Sequence, residues 1–248
     1  MTTSFTLSIP TFNSSQYVVE AFECAINEDL ISEIILSDDC SEQYHYEKLQ
    51  HISKSYSKIK LIKTEKNVGG FKNKYYSVNN SSNDWVYILD SDNHMTKNTL
   101  SVIKNIKDLD KTICYCPEKL ILHHDNNPPF KEVTYKFGFE YIGLNEIKFL
   151  ISNNVEYVDW FLNSGNYILN RTSYLNFLKE KYENDYNDTF AGDVIAMSYY
   201  WFKNGGKFKI VDGFEYYHRL RPDSYWNSCG SNSSDAVNKY INLILSLD

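Results

Sequence analysis

The sequence predicts an α/β protein built on a mostly parallel central sheet. Strand and helix signals alternate through residues 1–116, the helical stretches run about 10–15 residues, and polar residues follow the apolar runs at their C-terminal ends. Such alternation argues for right-handed βαβ units, in which ligands bind beyond the carboxyl ends of the strands.

The elements follow in order. Phe5-Thr6-Leu7-Ser8-Ile9 is a short apolar run halted by Pro10. Residues 16–28 read as a helix, with Ser14 or Ser15 as its N-cap. The β-branched run Glu33-Ile34-Ile35-Leu36 ends at Ser37-Asp38-Asp39, and residues 44–56 are helical again. Ile59-Lys60-Leu61-Ile62 is a strand, and Asn67-Val68-Gly69-Gly70 breaks the chain before a helix over residues 71–80. Strands follow at 85–89 and 112–116. Beyond residue 117 the pattern loosens. Residues 123–129 form a turn-rich loop, helices fall at 145–152 and 172–181, and a short strand at 166–169 lies between them. A strong helix over 190–202 closes on Asn204-Gly205-Gly206, residues 207–211 form a strand, and 235–247 form an amphipathic helix. There is no internal repeat and no Pro- or Gly-rich linker, so the simplest organisation is one domain over 1–248, with a nucleotide-binding half (1–116) and an acceptor-facing half (117–248).

Composition narrows the function. A net charge of -7 argues against broad electrostatic attraction to nucleic acid. Five cysteines, an odd number with no CxxC pair, argue against a zinc site or a disulfide framework and fit a reducing, cytoplasmic setting. The first ten residues lack the features of a signal peptide, and no apolar run approaches the ~18 residues of a membrane span. Peripheral membrane contact leaves no mark in the sequence and stays open. The 21 tyrosines read mostly as coding bias, with a few left for stacking on sugars or bases.

Three successive strand ends carry polar signals: Pro10-Thr11-Phe12-Asn13, Asp38-Asp39 and Asp90-Ser91-Asp92. In a parallel sheet they share one edge. Any one of them is more often a turn or a helix cap; together they are hard to read that way. Phe12 offers an aromatic face and Asp39 an acceptor for the N–H of a pyrimidine. The carboxylates of Asp90 and Asp92 suit a hard divalent cation that also binds phosphate oxygens. Asn67-x-Gly69-Gly70, followed by Lys72 and Lys74, lets the backbone approach a phosphate at a helix N-terminus, or is simply a loop with solvated lysines. It is neither GxGxxG nor a P-loop, which disfavours a dinucleotide or ATPase site.

The ordered set IPTFN, SDD-x-S, NVGG, ILDSDN, and GD followed by a helix and GG resembles the family 2 glycosyltransferases of GT-A fold, over nearly the whole chain. That resemblance implies a mostly parallel central sheet flanked by helices, with a looser C-terminal acceptor side. It implies that Pro10, Thr11, Phe12 and Asp39 line a base pocket, with Asp38 shaping the turn and Asn13 also among the nucleotide-sugar-binding residues. Asn67, Gly69, Lys74, Asp90 and Ser91 would bind the rest of a nucleotide-sugar, with Asp90 near the ribose or sugar. Asp92 would ligate Mn²⁺ or Mg²⁺, with His218 as a further ligand, although a lone histidine is as often structural. Arg219 and Arg221 suit a pyrophosphate by their planar forks, or form surface ion pairs.

On the acceptor side, family members usually carry Glu-Asp before a helix. Here the pair is Gly192-Asp193, and Asp193 is the candidate general base. Its alternative is the first-turn acid of a helix. Trp160, Asn163 and Ser164 resemble a small-residue loop preceding an acceptor site, and residues 222–226 a lid. His123 and His124 read as solvent-exposed. The resemblance thus implies a metal-dependent, inverting transfer from a nucleoside-diphosphate-sugar, with UDP the preferred nucleotide, to a hydroxyl of a glycan or glycolipid in surface polysaccharide or lipo-oligosaccharide synthesis. The enzyme would be cytoplasmic or peripheral at the inner face of a membrane. A retaining GT-A transferase and an inactive nucleotide- or sugar-binding module are the alternatives. A sugar-1-phosphate nucleotidyltransferase is disfavoured, because Pro10-Thr11-Phe12-Asn13 stands where a Gly-rich segment would follow the first strand.

Overall fold

A computed structural model describes residues 3–124, 128–184 and 191–248. The elements are β1 (Phe5–Thr11), α1 (Val18–Phe22), β2 (Ile31–Asp38), α2 (Gln43–Ser55), β3 (Ile59–Lys63), α3 (Gly70–Asn79), β4 (Trp85–Ile88), β5 (His94–Met95), α4 (Lys97–Lys104) and β6 (Ile113–His123). There follow β7 (Lys131–Thr134), α5 (Leu144–Ser152), α6 (Val158–Asn163), β8 (Ile168–Asn170), α7 (Arg171–Asn184), α8 (Asp193–Lys203), β9 (Lys207–Arg219), α9 (Tyr225–Ser228) and α10 (Ser231–Ser246).

Among the described residues the strands form one mixed sheet in the order β3-β2-β1-β4-β8-β6-β9-β5, with β7 beside β6. The first four are parallel, and β8 joins them antiparallel to β4. β6 and β9 run parallel to each other, and β5 returns antiparallel along β9. The GT-A expectation of a central sheet flanked by helices is met. Period-two alternation divides β4 between two cores. Val86 and Ile88 enter one apolar cluster, with α3, α7 and α8, while Trp85 and Tyr87 enter the other, with β1, β2 and α1. Covering both faces of β1, β2 and β4 leaves only their carboxyl ends for polar chemistry.

Several sequence expectations need correction. The helix expected over 16–28 forms only as Val18–Phe22, followed by turns. The serines expected to cap it bond elsewhere, Ser14 to Thr11 and Ser91 and Ser15 to His45. The strand expected to end at residue 116 runs through Pro117 to His123, its ladder with β9 shifting register between Pro117 and Lys119. β9 likewise continues past Val211, because Gly213, at φ 74°, turns the chain there and donates its N–H to Glu118. This extension carries His218 and Arg219 to the site. Residues 160–163, expected in a loop, are helical. His123, expected in solvent, is buried against His94 and Tyr217. The expected start of a helix at Phe190, and the middle of the 123–129 loop, lie outside the described residues. The C-terminal end of α8 behaves as expected. Gly205 (φ 77°) and Gly206 donate to the carbonyls of Phe202 and Trp201, the paired bonds of a Schellman cap.

Candidate functional site

The parallel register sets the polar edge. Thr11 stands beside Asp38 at the ends of β1 and β2, and Leu89 N–H donates to Ser8 as β4 ends. A chain of hydroxyls, Thr11 to Ser14 (2.8 Å) and Ser14 to Ser91 (2.7 Å), ties the first strand end to the Asp90-Ser91-Asp92 turn. The three polar strand ends are therefore one continuous surface, as the sequence implies.

Within it the predicted residues differ in availability. Phe12 is 48% exposed and free to stack on a planar ligand, beside Pro10, which is buried in β1. Asn13 holds the loop to α2, accepting from Glu42 N–H and donating its own N–H to Ser41. Asp38 braces its turn by accepting from Ser41 N–H. Asp39 is buried and accepts from Val68 N–H (2.8 Å), Gly69 N–H (2.9 Å) and the Thr64 hydroxyl (3.0 Å). Burial raises its pKa, and those hydrogen bonds oppose the rise. The carboxylate read as a base contact thus also anchors the Asn67-x-Gly69-Gly70 loop, where Asn67 accepts a second bond from Gly69 N–H.

Asp90 and Asp92 face different partners. Asp90 Oδ1 lies 2.9 Å from Lys74 Nζ, and Lys74 Nζ lies 2.6 Å from Asp193 Oδ2. One ammonium joins the polar edge to the first residue of α8. Burial alone lowers the pKa of Lys74, but the two carboxylates reverse this and leave it well above the usual lysine value. Removing one member of such a desolvated cluster leaves the others uncompensated, at a cost of about 3–5 kcal/mol. Two glycines pack against it. A Cβ on Gly70 would touch the Asp193 carboxyl at 3.4 Å, and one on Gly165 would sit 3.4 Å from Asp90 and 3.3 Å from Val194.

Asp92 faces Arg221, whose Nε lies 3.0 Å from Oδ2 as an ion pair outside hydrogen-bond geometry. Burial raises the Asp92 pKa, and Arg221 opposes the rise. Arg219 donates from Nε to the Asp92 carbonyl and from a terminal nitrogen to Glu20 (2.5 Å). Both guanidinium groups lie over the ring of Tyr17, at 4.7 and 4.9 Å. His218 Nδ1 is buried without a hydrogen-bond partner, and burial lowers the pKa of the ring although Asp92 and Asp90 oppose this. A neutral imidazole with an uncommitted buried nitrogen, beside a carboxylate, fits a divalent cation. The protein supplies two such donors, and no group of three metal-ligating side chains occurs among the described residues.

Of the residues predicted to meet an acceptor, Trp160 projects from α6 and is 42% exposed. Asn163 Oδ1 accepts from Ile195 N–H, so it caps the first turn of α8 and holds Asp193 in place. The Ser164 hydroxyl donates to Phe161. Asn166, missed as a site residue, accepts Asp90 N–H and donates to the Ser164 carbonyl. Its φ of 62° follows Gly165 at 70°, and this left-handed pair in Asn-Ser-Gly-Asn was the available signal. Tyr17 and Glu20 were also missed, because their partners lie about two hundred residues away. Gly192, where family members carry Glu, has no room for a side chain: a Cβ there would meet Ala236 of α10 at 2.8 Å.

Comparison with known proteins agrees with this architecture. The family model "Glycosyl transferase family 2" matches residues 6–176. The chain belongs to that family. No curated protein sequence matches it. Among solved structures, S. aureus TarS 1-349 in complex with UDP-GlcNAc shares 17% identity at a TM-score of 0.62, over 99% of this chain and 67% of that one. GalNAc-T7 with UDP, GalNAc and Mn²⁺ shares 17% at 0.65, over 97% of this chain and 48% of that one. The chain spans 40% of a longer TarS structure. These likenesses show a common fold.

Proposed function

We propose that this family 2 protein transfers a sugar from a nucleoside-diphosphate donor, UDP-linked, to a hydroxyl of a glycan or glycolipid, with inversion at the anomeric carbon. The observation that carries the reading is the convergence of Asp90, Asp92, His218 and Asp193 on the carboxyl edge of β4, from three separate stretches of chain. The UDP-GlcNAc named with TarS, and the UDP and Mn²⁺ named with GalNAc-T7, support the same donor class and a divalent metal.

In this reading Phe12 stacks on the base, with Pro10, Thr11 and Asn13 shaping its pocket, and Asp38 and Asp39 holding the walls. Asn67, Gly69 and Ser91 border the ribose and phosphates, and Asp90 meets the sugar. Asp92 and His218 would hold Mn²⁺ or Mg²⁺, which supplies positive charge to the departing diphosphate. Arg221 exchanges Asp92 for a phosphate oxygen when the donor binds, whereas Arg219 braces the turn from behind. Asp193 accepts the proton of the acceptor hydroxyl as that oxygen attacks the anomeric carbon and the C–O bond to the diphosphate breaks. Trp160 stacks on the acceptor, and Asn163 and Ser164 set the loop beneath it. Residues 1–248 act as one domain in surface polysaccharide or lipo-oligosaccharide synthesis, at the cytoplasmic side of a membrane. No helix among the described residues is long and apolar enough to span one.

A second reading, a binding module without turnover, draws support from Gly192, since α10 fills the space a glutamate would need. Calorimetric titration with UDP and GDP, each with and without Mn²⁺, followed by an assay of product anomer from UDP-sugars, tests both. Mn²⁺-dependent UDP binding with an inverted product supports transfer. UDP binding with no turnover supports the module, a retained anomer removes Asp193 as base, and no nucleotide binding overturns both readings.

A further inference from the structure

Lys74 was expected at the phosphates, from its place after the Asn-x-Gly-Gly break. Its ammonium instead lies between two carboxylates, 2.9 Å from Asp90 Oδ1 and 2.6 Å from Asp193 Oδ2, with its side chain only 12% exposed. The placement follows from α3. Lys74 sits one turn after Gly70 on the same helix face, and the Asp193 carboxyl packs against that face, 3.4 Å from where a Cβ on Gly70 would stand. Asp193 is fixed from its other side by Asn163, which holds the first turn of α8.

We propose that Lys74 is a positioning residue rather than a donor contact: its ammonium locks the Asp193 carboxylate to the Asp90 turn, so that the acceptor base and the sugar subsite form one rigid unit. This rests on the reading of Asp193 as the base. The contact has chemical consequences for that role. A lysine donates but does not accept, so the Asp193 carboxyl meets it as an acceptor and is held in one orientation. It engages Oδ2, and no described hydrogen bond engages Oδ1, which is left for the acceptor hydroxyl. The other titratable groups facing the pair are Tyr174 of α7 and Tyr216 of β9. Burial raises both phenols, so neither competes for the proton near neutral pH.

The test compares wild type with Lys74→Met and Lys74→Arg in the whole chain. Three quantities are read: UDP affinity with Mn²⁺ by calorimetry, kcat against the KM for UDP-sugar, and the denaturation midpoints of Lys74→Met, Asp193→Asn and the double variant. Lys74→Met is expected to leave UDP affinity and the donor KM within about threefold, to lower kcat by about 10–100-fold, and to be rescued in part by Lys74→Arg. The double variant should be no less stable than Lys74→Met alone, as for two groups that act through one contact. UDP affinity down tenfold or more in Lys74→Met, or additive losses of stability in the double variant, overturns the proposal. If Lys74→Met does not fold, Lys74→Gln removes the charge while keeping a donor, and the same outcomes decide. Affinity and stability are read without turnover, so an absence of turnover would count against the transferase reading and leave this test standing.

Discussion

Asp90 and Asp92 are separated by a single serine, yet they belong to two different electrostatic neighbourhoods. Asp90 shares with Asp193 a lysine held inside the packed junction of α3 and α8. Asp92 shares its charge with Arg221, which follows the end of β9 and also pairs with the exposed Asp223. The first cation is rooted in a helix and enclosed by carboxylates. The second rests on a tyrosine face and makes an ion pair without a directed hydrogen bond. The contrast teaches that a turn of three residues can hold two unlike junctions; in the proposed transfer the fixed one faces the acceptor and the exchangeable one the donor phosphates.

The sharpest way to break this comparison is Asp193→Asn. It keeps the shape of the fixed junction and removes the base, so turnover should fall by about 10²–10⁴ with UDP affinity unchanged. Wild-type turnover in steady-state assays would remove Asp193 from the chemistry. Next comes Arg221→Met, on the exchangeable side. Without the competing guanidinium, Mn²⁺ alone should bind Asp92 about tenfold more tightly, while UDP binding weakens through the lost phosphate contact. Parallel losses of both, measured by calorimetry, would make Arg221 a structural brace like Arg219.

Gly192→Ala probes the packing behind the fixed junction. The added methyl would press on Ala236, and overpacking of this kind costs about 1–3 kcal/mol, measurable by chemical denaturation. Unchanged stability would mean that α10 yields readily and that the loss of Glu at this position is not steric.

The smallest effect concerns pH. His94 stacks on Tyr217 and sits 3.5 Å from Glu20, the partner of Arg219, and burial lowers its pKa from 6.5 to about 4. The unfolded chain therefore binds more protons than the native one between these values. Its contribution is fully present above about 6.5 and is lost as the pH falls toward about 4. The Lys74 junction has no cation that titrates in that range. Denaturation of His94→Asn should show a flatter pH dependence than wild type, and an unaltered slope would place the sensitivity elsewhere.

Much of the polar strand edge was legible in the sequence, and the reason is local. A strand followed by Asp38-Asp39 or by Asp90-Ser91-Asp92 encodes both its element and the polar side chains at its end within a few residues, and parallel register aligns the ends. The surroundings of Asp193 were not legible in the same way. The lysine at 74 could be read as a phosphate contact, but its pairing with Asp193 spans more than a hundred residues. Asn163 gave no sign that it caps α8, because its partner, Ile195, is fixed only by tertiary packing. The length of β9 was missed because Asp212-Gly213 reads as a strand end. In the fold it is a turn within a strand, held by Glu118 of β6.

The central claim is that the two junctions of one turn, Asp92 with Arg221 and Asp90 with Asp193 through Lys74, do separate work, and UDP titration with and without Mn²⁺ on Asp92→Ala beside Asp193→Asn tests it most directly. The account predicts that Asp92→Ala loses the Mn²⁺-dependent part of UDP binding while Asp193→Asn retains all of it. Retention of Mn²⁺-dependent binding in Asp92→Ala, or its loss in Asp193→Asn, would contradict that division of labour.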